Sequence, residues 1–252
     1  MHEVAAKGFA REAPAYVRGR PEYPVAIDQW LAEDLALNPS QTVVDLGAGT
    51  GIFTRRLLST GAHVIAIEPV PQMLAQLTQA LPAVVARSGT AEQLPLSDSA
   101  VDVVVCAQSF HWFATDVALR EIHRVLPHGG RLGLIWNVSD QTVDWVAAMT
   151  QIISPYQGDT PRFRAGTWRN VFPAAGFGPL REKRFMNSHT GPPEQVIVDR
   201  ALSTSFIAAL ERPKQRVVAA KLRDLIASHP ALVGREEVTM PYETLAFSCV
   251  RD

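Results

Sequence analysis

The stretch Val43-Val44-Asp45-Leu46-Gly47-Ala48-Gly49-Thr50-Gly51 joins a short apolar run to three alternating glycines. The apolar run is a buried strand. Glycines at its end let the chain turn sharply and leave no Cβ where a ligand approaches, and the next helix offers unpaired N–H groups. A loop of this kind holds part of a nucleotide, and its spacing narrows which one. A triphosphate loop needs Lys-Ser or Lys-Thr after the glycines, whereas Ile52 and Phe53 follow Gly51 here. A dinucleotide loop runs G-x-G-x-x-G, and here the third glycine comes one place early. Glu68 lies twenty-one residues beyond Gly47, at the end of the next apolar run, where an acid accepts both hydroxyls of an adenosine ribose. Asp45 adds a second carboxylate beside the loop. A ligand with an amino group and a sulfonium charge gains most from such a pair.

The same rhythm of strand, glycine-bearing turn and helix continues outward. Thr42 to Gly47 is strand one, and a helix runs from Gly51 to about Thr60, capped by Gly61. HVIAIEP, MLAQLTQAL and AVVARSG predict a strand, a helix and a strand. Val101 to Gln108 is a fourth strand, an amphipathic helix covers about Thr115 to Leu126, and GGRLGLIWN holds the fifth. These runs lack strict alternation, so both faces of each strand are covered, as in a parallel, doubly wound α/β sheet. Pro24 suits the first position of the first long helix. From 138 to 178 the pattern loosens into aromatics and prolines, which predicts an insertion or lid. LREKRFMNSH is another strand, helices fill Glu194 to Ser228, and VTMPYETLAFSCV is a final strand that pairs antiparallel.

Composition bounds the setting. Of 252 residues 47% are apolar and 19% charged, enough for a large core and too few charges for disorder. The formal charge of −1, with Lys and Arg scattered, argues against a nucleic-acid or membrane surface. MHEVAAKGFAREAP lacks the layout of a signal peptide, and no apolar run spans a bilayer. Cys106 and Cys249 each sit in an apolar strand, and the seven His residues show no ligand spacing, so neither disulfide nor metal is expected. The expectation is a cytoplasmic protein of undetermined oligomeric state.

Several ordered motifs resemble one family. V-V-D-L-G-A-G-T-G with Glu68, A-E-Q-L-P-L (Ala91 to Leu96), V-D-V-V-V-C-A-Q-S-F-H-W-F (Val101 to Phe113) and E-I-H-R-V-L-P-H-G-G-R-L (Glu121 to Leu132) resemble class I S-adenosylmethionine-dependent methyltransferases. The spacing of Phe9, Ala13, Tyr16, Arg20, Pro21, Tyr23 and Pro24 is similar to that in the small-molecule branch containing trans-aconitate methyltransferase-like proteins. The resemblance implies a Rossmann-like seven-stranded sheet of order 3-2-1-4-5-7-6, its last strand antiparallel. It implies one domain over 1–252: an N-terminal cap segment 1–23, a donor-binding core 24–137, a lid insertion 138–178, and a C-terminal part 179–252 that completes the sheet.

It also implies roles. Gly47, Gly49 and Gly51 border the methionine part of S-adenosyl-L-methionine, and of the product S-adenosyl-L-homocysteine, beside Asp45. Glu68 takes the ribose, Pro69 and Met73 flank the adenine, and Ala91 and Glu92 close its other side. Thr90 stands where many relatives carry Asp. Gln108 lies near the amino-acid end, and Tyr16 and Arg20 reach the donor carboxylate or the acceptor. Met73 as helix packing and Tyr16 as a core anchor remain open beside these readings.

QSFHWF falls at the carboxyl edge of strand four, where open α/β sheets bind ligands. Ser109, His111 and Trp112, with Trp136 from strand five, are therefore candidates to border a small-molecule acceptor. His111 suits a general base for a hydroxyl or amine, or else a helix cap. A carboxylate acceptor needs no base, and Arg18 or Arg20 then anchors a second acid group. The stretch lacks the Asn- or Asp-Pro-Pro-aromatic of nucleic-acid amino-methylating relatives. A non-catalytic protein that keeps the donor pocket is the alternative from another class, and an NAD-dependent oxidoreductase is a second.

Overall fold

The computed structural model describes residues 19–252. Seven strands form one sheet in the order β3-β2-β1-β4-β5-β7-β6. They are β1 (Thr42–Leu46), β2 (His63–Ile67), β3 (Val85–Arg87), β4 (Val103–Ala107), β5 (Arg131–Ser139), β6 (Arg181–Gly191) and β7 (Val238–Val250). The first five are parallel, and β7 runs antiparallel between β5 and β6. This is the order that the resemblance implies.

The non-alternating strands are explained by cover on both faces. Val43, Val103, Val105 and Ile135 point to one core, with Ile27, Trp30, Leu31 and Phe53. Their neighbours Val44, Leu46, Val104, Cys106 and Leu134 point to the other, with Leu119, Ile122 and Val125. The central strands β1, β4 and β5 are thus apolar at consecutive positions while their side chains still alternate. Cys106 and Cys249 are buried, free, and separated by β5.

The helices are α1 (Ile27–Glu33), α2 (Ile52–Leu58), α3 (Pro71–Ala80), α4 (Asp116–Val125), α5 (Asp144–Ile153), α6 (Arg200–Leu202), α7 (Ser205–Ala208) and α8 (Arg212–Ser228). α4 carries its start signal in the sequence: the Thr115 hydroxyl accepts the Ala118 N–H at 3.2 Å, with Asp116 in the first turn. α1 differs from expectation. It has seven residues and begins three after Pro24, whose carbonyl instead accepts the Ile27 N–H in the preceding turn. α2 likewise stops at Leu58, and Thr60 and Gly61 (φ +78°) form the turn. α3 starts two residues early, because Pro71 supplies the first helical position.

β5 reaches Ser139, two residues into the stretch read as a lid. Beyond it, α5 buries Trp145, Val146, Met149 and Ile153 against α8 and a π turn at Glu194–Asp199. Three short 3-10 turns follow, Ser154–Tyr156, Phe163–Ala165 and Thr167–Val171. The last of these buries Trp168 on Trp136, with ring centroids 4.7 Å apart. No helix among the described residues is long and apolar enough to cross a membrane.

Candidate functional site

Three adjoining cavities open along the carboxyl edge of β1, β2, β4 and β5. The glycine loop lines two of them, and its glycines do different work. Gly47 has φ +72°, donates its N–H to the Ile67 carbonyl at 2.8 Å, and would place a Cβ 2.7 Å from that of Ser109. Gly49, at φ +58°, donates to Glu68 Oε2 at 2.9 Å. Gly51 does not wall a cavity. At φ +86° it precedes α2, and a Cβ there would meet Leu81 at 3.0 Å.

Glu68 also accepts the Val70 N–H at 2.8 Å, so one carboxylate holds both the loop and the start of α3. Each of its oxygens keeps a lone pair for a further donor. Burial raises its pKa, while the bonds from Val70 and Gly49 oppose that rise. Asp45 is wholly buried in β1. Thr54 donates to its Oδ2 at 2.6 Å, and Oδ1 has no partner among the described residues. Burial pushes its pKa to about 7; the Thr54 bond opposes the shift and the charge of Glu68 adds to it.

The first cavity, about 680 Å³, is predominantly apolar. Glu68, Pro69, Met73, Thr90, Ala91 and Glu92 line it, as expected. Met73 is 2% exposed, so it both packs α3 and walls the cavity. Ser109 faces this side, and its hydroxyl donates to the Leu46 carbonyl at 2.7 Å. It does not line the third cavity. The second cavity, about 530 Å³, contains Asp45, Gly47, Gly49, Phe53, Arg20 and Tyr242. A buried carboxylate with one oxygen left without a partner among the described residues, beside a backbone cradle, fits the ammonium end of a sulfonium amino acid.

The third cavity, about 720 Å³, contains His111, Trp112 and Trp136 together with Arg162, Arg164 and Arg200. Arg162 comes from the loop before the Phe163 turn and Arg200 from the start of α6. Arg200 donates to the Tyr242 hydroxyl at 3.0 Å and to Thr204 at 3.1 Å. Arg162 donates to Gln157 at 3.2 Å and lies over the Phe206 ring. Burial first, then the charges of Arg200, Arg164 and Arg20, together lower the Arg162 pKa to about 10. Among the described residues lining this cavity there is no carboxylate. His111 Nδ1 accepts the Trp136 indole N–H at 3.1 Å. Burial, then Arg162 and Arg20, drive the His111 pKa down to about 3.

Gln108 lines all three cavities, at φ +57°, and donates to the Asn137 carbonyl at 3.3 Å. A non-glycine residue held in the left-handed region marks a junction whose shape the surroundings impose. Arg20 walls the second and third cavities together. Tyr16 and Arg18 lie outside the described residues. Reading the chain alone missed Arg162, Arg200, Asn137 and Tyr242. Arg162 and Arg164 flank Phe163 in an aromatic loop, and Arg200 interrupts an apolar helical run; those are the signals that were available.

A mixed sheet with its single antiparallel strand between β5 and β6, a glycine cradle and a buried acid after β2 define a class I S-adenosylmethionine-dependent methyltransferase. Residues 44–134 match the family described as a methyltransferase domain. An uncharacterized methyltransferase-like protein of Schizosaccharomyces pombe is 36% identical over 251 residues, covering 99% of this chain and 98% of that protein. The chain belongs to this methyltransferase family. Among solved structures, a protein of Anaeromyxobacter dehalogenans provisionally assigned as a type II methyltransferase shares the fold. It has a TM-score of 0.66 and 22% identity, over 92% of this chain and 97% of that one. Geranyl diphosphate methyltransferase in complex with SAM shares it too, with a TM-score of 0.52 and 14% identity over 90% and 85% of the two chains.

Proposed function

We propose that this enzyme takes a methyl group from S-adenosylmethionine and transfers it to a small organic acid. The observation that carries this reading is the opposition of charge across Gln108. Carboxylates Asp45 and Glu68 stand on one side; Arg162 and Arg164, with no lining carboxylate among the described residues, stand on the other, and Arg20 and Arg200 line both the second and the third cavity at the boundary. The first side suits a cationic donor, the second an anionic acceptor.

When bound, the donor supplies a methyl already activated as a sulfonium. The chain supplies placement. Glu68 accepts the ribose hydroxyls, Asp45 faces the ammonium, and Pro69, Met73, Ala91 and Glu92 enclose the adenine. The guanidiniums orient the acid, and the aromatic wall of Trp112, Trp136 and Phe163 excludes water. Arg162 and Phe163 come from the segment after β5, which supports the lid reading for the later part of 138–178. A third cavity of about 720 Å³ and the formal charge of −1 support a small acceptor over nucleic acid.

Labelled-methyl transfer across short di- and tricarboxylic acids, phenols and amines tests the acceptor class, and acids should lead. Calorimetry tests the donor: S-adenosylhomocysteine should bind and NAD should not. NAD binding with silence from the sulfur compound would overturn the reading.

A further inference from the structure

We propose that His111 serves the acceptor as a fixed hydrogen-bond donor through Nε2–H, held in that state by Trp136, and not as a base. This rests on the acid-acceptor reading above and deepens it, because it says what protonation state the reacting group must already have.

The geometry starts at Trp136. An indole N–H only donates, so the ring nitrogen facing it, His111 Nδ1, must present its lone pair. A neutral imidazole carries one proton, which therefore sits on Nε2. Trp136 cannot swing away. It is fully buried, with Trp168, Phe163 and Phe247 rings at 4.7, 4.8 and 5.9 Å. Moving the proton to Nδ1, or adding a second one there, would set two N–H groups against each other in a buried place. His111 Nε2 makes no hydrogen bond among the described residues, and the ring walls the cationic cavity.

The charged surroundings agree. Arg20, from the segment before α1, and Arg162, from the loop after α5, act on the ring. Arg164 follows on the same loop, and Arg200 lies on α6. The described neighbours on β5, Trp136 and Asn137, are uncharged. Burial among cations leaves the ring neutral through the neutral pH range. An incoming acid would offset part of that field, but it would leave the Trp136 contact in place.

A ring whose free nitrogen carries a proton cannot accept one there. It can hold the acceptor. One carboxylate oxygen gives its electron pair to the methyl carbon as the carbon–sulfur bond breaks and that pair returns to sulfur. No proton leaves the acceptor, so no base is required. The other carboxylate oxygen accepts from Nε2–H. A phenol or amine would have to lose a proton, and this His111 offers no lone pair to take it.

The test uses the full chain saturated with S-adenosylhomocysteine, its histidines 15N-labelled, followed by NMR from pH 5.5 to 8.5. Propane-1,2,3-tricarboxylate is the probe. His111 should be the Nε2–H tautomer throughout, and its Nε2 resonance should shift as the probe binds. His111→Gln, which still donates, should hold probe affinity within about threefold, and His111→Leu should lose about tenfold. Trp136→Phe, checked by its spectrum for folding, should release the tautomer, so that an Nδ1–H population appears beside Nε2–H. A wild-type ring that protonates between pH 6 and 7.5, an Nδ1–H tautomer, or a Gln variant as weak as Leu would overturn the inference. Probe binding that leaves the His111 resonances unmoved overturns it alone. Complete failure of the probe to bind overturns the acid reading and this inference with it.

Discussion

The donor side and the acceptor side of this site are built in opposite ways. The donor side is built mainly from residues 45 to 92, through consecutive strand–turn–helix units, and its carboxylates Asp45 and Glu68 are buried, with Arg20 and Arg200 reaching in from the acceptor side. The acceptor side brings together β4, β5, the loop at 161–164 and the helices at 200–206, and its charges are positive. One is local and the other assembled. A methyl group that leaves a cation for an anion crosses from the first field to the second, and Glu68 and Arg162 each line one side alone.

The harshest break is Arg162→Glu. Reversing a half-buried charge should raise the acid acceptor's KM by about 100-fold or more. S-adenosylhomocysteine affinity should stay within twofold; an equal loss of both would show that the two sides are one. Glu68→Gln attacks the other side. It weakens charge-assisted bonds from Gly49 and Val70 as well as those proposed to the ribose, and calorimetry should show donor affinity down about 10-fold or more.

Asp45 sharpens the comparison through pH. Its folded pKa is raised from 3.8 to about 7, so a cationic donor must displace a proton below that value. Donor affinity should fall as pH drops below 7, by up to about tenfold per unit, and Asp45→Asn should flatten that dependence. The stability effect has the reverse sense. The folded state holds this proton more tightly than the unfolded chain, so stability declines as pH rises from about 4 to 7 and stays lower above. Thermal unfolding of ligand-free Asp45→Asn should therefore exceed wild type at pH 8.5, and the gap should close at pH 4. The smallest effect belongs outside both sides. Thr115→Ala removes the α4 cap, costs about 1 kcal/mol, and should leave donor and acceptor binding unchanged.

The same contrast explains what could be read from the chain. Strands and the donor loop were legible because their signals are short-range: valine runs, glycines after a strand, an acid one strand later; the order of the strands in the sheet came only from the family resemblance. Helix ends were less legible where a turn intervened, as at Pro24 and Thr60. Ser109 looked like an acceptor residue from its position, but its hydroxyl answers the Leu46 carbonyl across strands. Arg162 and Arg200 are 38 residues apart and meet only because α5 packs on α8 and the π turn at Glu194–Asp199. Nothing in either local pattern says that they share a cavity. Trp136 on His111 is likewise a tertiary contact, and it bears directly on the chemistry assigned to that ring.

The central claim is that the methyl group lands on a carboxylate oxygen. Methyl esters are cleaved by mild alkali to volatile methanol, whereas methyl ethers and N-methyl groups survive it. The enzyme should be incubated with tritiated-methyl donor and a panel of acids, phenols and amines, and each product then treated with alkali. The predicted result is label on the acids, released as volatile counts. Alkali-stable label confined to phenols or amines would contradict the account.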